Sequence, residues 1–187
     1  MIETRIAPGL LLAMPQLLDP NFYRTVVLMV EHGDSGSFGL VVNRPAPLRV
    51  TELLEGMSLK WTGDPLAQVG IGGPVQADTG WMLHEPLASG IEIPPGTVTV
   101  VPGLQLSVST ETLQRLAADP PRRIRLFLGY AGWGPGQLVR EVAEGAWLHA
   151  EATPGLVLAT PAEEMWEQAL RSIGIDPAAV VPTSGIN

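Results

Sequence analysis

The chain has 187 residues, 45% hydrophobic and only 16% charged, with 21 glycines, 18 prolines and no cysteine. Such a composition describes a turn-rich globular chain with one sizeable core, and it excludes thiolate nucleophiles, zinc–cysteine sites and disulfides together. A net charge of −8, from 11 Lys and Arg against 19 Asp and Glu, opposes accumulation along nucleic acid, where nonspecific affinity comes from phosphate neutralisation by Lys and Arg.

Near the N-terminus the apolar run Leu10 to Met14 is too short for an export signal; Glu3 cancels Arg5 and Pro15 interrupts it, so a buried strand is expected. Thr25 to Glu31 and Ser37 to Asn43 are β-branched, apolar runs joined by His32-Gly33-Asp34-Ser35-Gly36, which predicts a hairpin with a five-residue loop. Because neither run alternates, both faces of each should be covered, placing the pair centrally in a sheet. Asn43-Arg44-Pro45-Ala46-Pro47 should end the second strand. A helix capped by Thr51 follows, with Leu53, Leu54 and Met57 on its apolar face and Gly56 near its end.

Further strands are predicted at Ala67 to Ile71, Thr79 to His84, Thr97 to Val101 and Leu104 to Ser109. Ser109 or Thr110 caps a helix through Ala118 that turns Leu113, Leu116 and Ala117 inward. Arg122, Arg123 and Arg125, after Pro120-Pro121, read as a solvated strand end. The strongest strand is Ile124 to Tyr130. It leads into Gly129 to Leu138, a stretch holding four glycines and Trp133, and Pro135 suits the first turn of a helix that runs to about Glu144 and stops at Gly145. Short strands near Trp147 to Glu151 and Leu156 to Ala159 precede a final helix. Thr160 with Glu163 resembles a capping box, Pro161 takes the first helical position, and Met165, Trp166, Ala169 and Leu170 form the buried stripe before Gly174. Leu59 to Ala67 and Ser89 to Gly96 are the expected mobile loops. Early hairpins and late strand–helix units predict an α+β domain over residues 1–187, with a mixed, mostly antiparallel curved sheet and helices packed against it.

His32 and His84 each end an apolar strand beside an acid, Glu31 and Glu85. If those ends meet, two imidazoles and a carboxylate can hold a divalent metal or do acid–base work; otherwise they are strand-end histidines bonded to loop backbone. The metal-protease spacing His-Glu-x-x-His is missing, and His149 has a thinner case. The Gly132 to Gly136 loop can offer backbone N–H groups to an anion, with Gln137 orienting it or capping the turn; alternatively the glycines let Trp133 and the backbone pack closely. Its spacing is not that of a dinucleotide or phosphate loop. Asn43-Arg44-Pro45 and Gly72-Gly73-Pro74 can frame a cleft beside His32, with Arg44 gripping an anion, or Asn43 bonds its own turn while Arg44 lies in solvent. Ser35, Ser37 and Ser109 sit in turn or cap contexts, and no Gly-x-Ser-x-Gly occurs.

Several ordered elements resemble the YqgE/AlgH family of bacterial proteins. They are Leu12-Ala13-Met14-Pro15 with Asp19-Pro20 and Phe22, Glu31-His32, Gly39-Leu40-Val41-Val42-Asn43-Arg44-Pro45, Gly72-Gly73-Pro74-Val75 and Leu83-His84. Leu128 to Trp133, Gly136-Gln137-Leu138, Trp147 and Trp166 complete the pattern. The family usually carries Glu after Gly-Gln-Leu, where this chain has Val139, with Glu141 the nearest acid. The resemblance implies a soluble, cytoplasmic domain of mixed α/β type and implies no reaction. Some members are labelled transcriptional regulators, which without a basic surface implies an indirect effect on expression.

The leading expectation is a non-catalytic module that binds a small ligand or a protein partner through His32, Asn43, Arg44, His84, Gly132, Trp133, Gly136 and Gln137, with a regulatory outcome. A metal-dependent or hydrolytic enzyme on a cleft of His32, His84, Asn43 and Arg44 is the alternative, and a direct DNA-binding regulator stands third. No pattern names a cofactor. No apolar stretch reaches the roughly 20 residues of a membrane span.

Overall fold

Strands β1 (Gly9–Ala13), β2 (Val26–Gly33) and β3 (Gly36–Val41) pair antiparallel in that order in a computed structural model that describes residues 5–17, 19–88 and 90–180. Glu3 and Ser89 lie outside those residues. As the unbroken apolar runs demand, both faces of β2 are covered: Val26 and Leu28 join one core cluster, Val27 and Met29 another. The hairpin turn is tighter than expected, with pairing continuing to Gly33↔Gly36.

Pro45 does not stop the chain from pairing. β4 (Pro45–Arg49) is a strand beside β5 (Gln68–Ile71), and a position with no further neighbour is where a proline is tolerated. Between them α1 (Val50–Gly56) starts one residue before Thr51; the Arg49 N–H donates to the Glu52 carboxylate at 2.9 Å. Then come β6 (Val75–His84), β7 (Thr97–Val101), β8 (Leu104–Ser107) and α2 (Thr110–Ala118). Ser109 caps α2, its Oγ accepting from the Thr112 N–H at 3.1 Å.

β9 (Ile124–Trp133) is the spine of the fold, and α3 (Gln137–Ala143), β10 (Trp147–Ala150), α4 (Ala162–Ser172) and α5 (Pro177–Val180) follow it. One edge of β9 pairs with β6; the other takes β5 in parallel at Phe127 and Leu128 and then β3 antiparallel at Ala131 to Trp133. The result is a ten-stranded mixed sheet, largely antiparallel, running β10-β1-β2-β3-β9-β6-β8-β7 with β4 and β5 as a side branch. Where β9 changes partner, Gly129 has φ +75°, and a Cβ added to Gly73 would stand 2.1 Å from the Tyr130 carbonyl carbon. Backbone lies on backbone there, so the glycines of Gly72-Gly73-Pro74 are required by contact.

Helix α4 and the turn before it cover one face with Met165, Trp166, Ala169 and Leu170, as the stripe predicts. α3 packs Leu138 on the opposite face, and α1 and α2 pack Leu54 and Leu116 against the β5–β9–β6 portion. Two late elements differ from expectation. Leu156 to Ala159 belongs to a π-helical turn, Gly155–Ala159, and not to a strand; a short apolar run has no periodicity to separate the two, and Thr153 Oγ1 accepts from the Leu156 N–H at 3.2 Å to start the turn. Helix α4 has Pro161 at its cap and no side-chain cap bond, so the capping box of Thr160 and Glu163 is not formed; the Thr160 carbonyl accepts from the Arg125 guanidinium. Among the described residues no helix is long and apolar enough to cross a membrane.

Candidate functional site

β9 separates the two histidines. His32 pairs with Ser37, which pairs with Trp133 at one end of β9, whereas His84 pairs with Ile124 at the other, roughly 30 Å of extended chain away. The single His32, His84, Asn43 and Arg44 cleft is therefore not formed. Sequence spacing holds no record of which strand ends meet. Among the described residues no three His, Asp or Glu side chains gather as metal ligands would.

Each histidine has a local role. His32 is exposed, its Nδ1 2.7 Å from Ser37 Oγ. His84 is fully buried. Its Nδ1–H donates to the Glu85 carbonyl at 2.7 Å, which leaves Nε2 to accept from Ser107 Oγ–H at 2.8 Å, and Ser107 in turn accepts from Thr97 at 2.7 Å. Burial lowers the His84 pKa below its ordinary value, and the backbone bond only partly opposes this. The neutral ring is a structural link among β6, β7 and β8.

Asn43 and Arg44 fasten the chain between β1 and β2. Asn43 Oδ1 accepts from the Val26 N–H at 2.8 Å and Nδ2 donates to the Arg24 carbonyl at 3.0 Å. Arg44 does not lie free in solvent: Nη1 donates to the carbonyls of Pro20 and Asn21, and Nη2 to that of Tyr23, at 3.3, 2.6 and 3.2 Å. The loop so held carries Phe22, whose ring stacks 5.9 Å from Trp133 and meets Trp147 edge-on at 5.5 Å.

Glu141 sits under that aromatic group. Its Oε2 accepts from both Trp133 and Trp147 indole N–H groups, and its Oε1 accepts from Gln137 Nε2 at 3.0 Å. Gln137 Oε1 accepts from the Gly134 N–H at 3.1 Å, so this donor of the glycine loop already has an intramolecular acceptor. Gly136 adopts φ +69° to enter α3, and Gly132 pairs with Phe38. These residues fit the close-packing explanation for the loop. Val139 stands half exposed, and Glu141, one helical turn after Gln137, is the acid bonded into this group.

A cleft of about 640 Å³ lies elsewhere. It opens where β5 and β9, paired only at Gly70↔Phe127 and Ile71↔Leu128, leave Gln68 and Arg125 facing a gap. The loop carrying Trp61 and Asp64 forms one wall, the start of α4 with Glu163 another, and Leu158 and Phe127 line part of the interior. That loop is tethered: Thr62 bonds the carbonyls of Ala117 and Ala118, and the Trp61 indole donates to the Asp64 carbonyl at 2.9 Å.

Four arginines, Arg44, Arg122, Arg123 and Arg125, reach this cleft. Arg123 is 3.6 Å from Glu85, and Arg44 holds its three carbonyls. Arg122 is exposed, whereas Arg125 is half buried, with Nη2 donating to the Thr160 carbonyl. Desolvation lowers the Arg125 pKa from its ordinary value, opposed by the charge of Glu163. The arginine cluster is thus more than a solvated strand end. Of the residues singled out in the sequence for binding, only Arg44 lines the cleft. The sequence signal for this site is Arg125, a charge one residue inside the apolar strand Ile124–Trp133, which calls for water or a polar neighbour.

Comparison with known proteins gives a consistent picture. Residues 10–178 match the family model described as AlgH-like. A UPF0301 protein of Myxococcus xanthus is 49% identical over 97% of this chain and 98% of its own length. One from Ralstonia nicotianae is 40% identical over 94% and 92%. The solution structure of the AlgH protein from Pseudomonas aeruginosa superposes with a TM-score of 0.77 at 34% identity, covering 100% of this chain and 98% of that one.

Proposed function

The chain belongs to the AlgH-like family, and from that premise we propose that it is a non-catalytic binding module whose ligand site is the cleft between β5, β9 and the start of α4. The observation that carries this reading is the half-buried Arg125 in a cleft of about 640 Å³, within the ordinary size range of small-molecule sites. The residues that suggested acid–base or metal chemistry are engaged in holding strands and loops. A reducing cytoplasm suits a chain without cysteine. Any regulatory outcome would follow ligand occupancy and pass through a protein partner, since a net charge of −8 disfavours direct contact with DNA.

Titrating ¹⁵N-labelled protein with a library of small molecules tests the site. Binding should move amide signals of Gln68, Arg122 to Leu126 and Ala162 as one group. Shifts clustered elsewhere, or none, would count against the cleft. A salt-dependent DNA titration should give no saturable binding at physiological salt; a tight complex would favour the regulator reading instead.

A further inference from the structure

We infer that the ligand carries an oxyanion, a phosphate or carboxylate group, which seats on the Arg125 guanidinium with Arg122 at the mouth of the cleft. The inference rests on the cleft being the binding site and adds the chemistry of what enters it. A guanidinium presents five N–H donors in a rigid fork that matches such groups. Among the described residues the Arg125 guanidinium has one hydrogen bond, to the Thr160 carbonyl, and no carboxylate lies within ion-pair distance of it.

A half-buried cation without an ion-pair partner costs stability that a bound anion can offset. Glu163 lines the same cleft and supports the charge of Arg125 from beyond ion-pair distance. An incoming anion meets its repulsion, so Glu163 sets how strongly anionic the ligand must be. The overall −8 charge opposes approach only weakly, because salt screens it beyond about 8 Å at physiological ionic strength. Of the charged residues lining the cleft four are arginines and two, Asp64 and Glu163, are acids. Leu158 and Phe127 leave room for an apolar body attached to the anion.

The test titrates ¹⁵N-labelled protein with sodium phosphate and, separately, sodium citrate, each against sodium chloride of matched ionic strength. Saturable shifts of the Arg125 Nε–H and the Ala162 and Glu163 amides are expected, and the stronger of the two salts identifies which oxyanion the site prefers. Arg125→Gln should weaken binding at least about tenfold, as loss of a charged hydrogen-bonding partner does. Arg122→Gln should weaken it about threefold, and Glu163→Gln should tighten it about twofold or more. If Arg125→Gln fails to fold, the other two variants decide. No saturable binding of either salt, or affinities unchanged in the variants, overturns the oxyanion assignment. Uncharged library compounds separate this from the broader reading: their binding in the cleft without anion binding sinks the oxyanion alone, and failure of both classes sinks the site.

Discussion

The indole N–H groups of Trp133 and Trp147 converge on one oxygen, Glu141 Oε2, at 3.0 and 2.8 Å. The rings lie 6.0 Å apart and edge-to-face, so a single carboxylate ties the end of β9 to the start of β10 through α3. Both tryptophans are almost completely buried, and the partly buried Glu141 is the acceptor that their N–H groups share.

Glu141→Ala should accordingly lower unfolding free energy by about 2–4 kcal/mol, the cost of leaving two buried donors unpaired. Glu141→Gln keeps one oxygen for the indoles and should cost less than half as much. Urea unfolding followed by tryptophan fluorescence measures both. Equal losses in the two variants would show that the carboxylate charge, and not acceptance of the indole protons, holds the cluster.

Stability should depend on His84 in a definite direction. Its folded-state pKa lies below the unfolded value, so the unfolded chain binds the extra proton first. The stabilisation is complete above the ordinary histidine pKa of about 6.5 and is lost as pH falls from there through the folded pKa. Burial gives His149 the same sign. Between pH 7.5 and 5.5 the wild type should lose stability, and His84→Gln should flatten part of that slope. An NMR titration should find the His84 ring taking up its proton at lower pH than an ordinary histidine, and a midpoint at or above about 6.5 contradicts the assignment of Nε2 as an acceptor.

Asn43→Ala removes the acceptor of the fully buried Val26 N–H and the donor to Arg24. A loss of about 2–3 kcal/mol is expected from that unpaired amide. Amide exchange at Val26 should accelerate out of proportion to the rest of β2, which distinguishes local release from general weakening.

Gly73→Ala places a methyl group 2.1 Å from the Tyr130 backbone at φ +152°. Nothing flexible stands there to move aside. The variant should lose more than about 3 kcal/mol or fail to fold, as strain and overpacking add, whereas Gly56→Ala, whose Cβ meets nothing within 4 Å, should be neutral or stabilising. Thermal melting of the pair is sufficient to check this.

Local patterning was enough to place β1, β2, β3 and the stripe of α4, because unbroken apolar runs and a period near 3.6 report burial directly. Gly129 and Trp133 were recognisable as junction residues, since glycine and a large ring at a change of direction imply close approach, whereas nothing local marks Gly73 as lying on the Tyr130 backbone. Which residues share a cleft was decided by the pairing of β9 together with the packing of α2 and α4 on the sheet. The first half of β9 takes β5 in parallel and its last residues take β3, which sends His32 and His84 to opposite ends and brings Arg125, Trp61 and Glu163 around one opening. Chain spacing determines what a segment buries, but convergence of distant side chains depends on strand order and direction, and those are settled only when the sheet closes its hydrogen bonds and its faces find their helices.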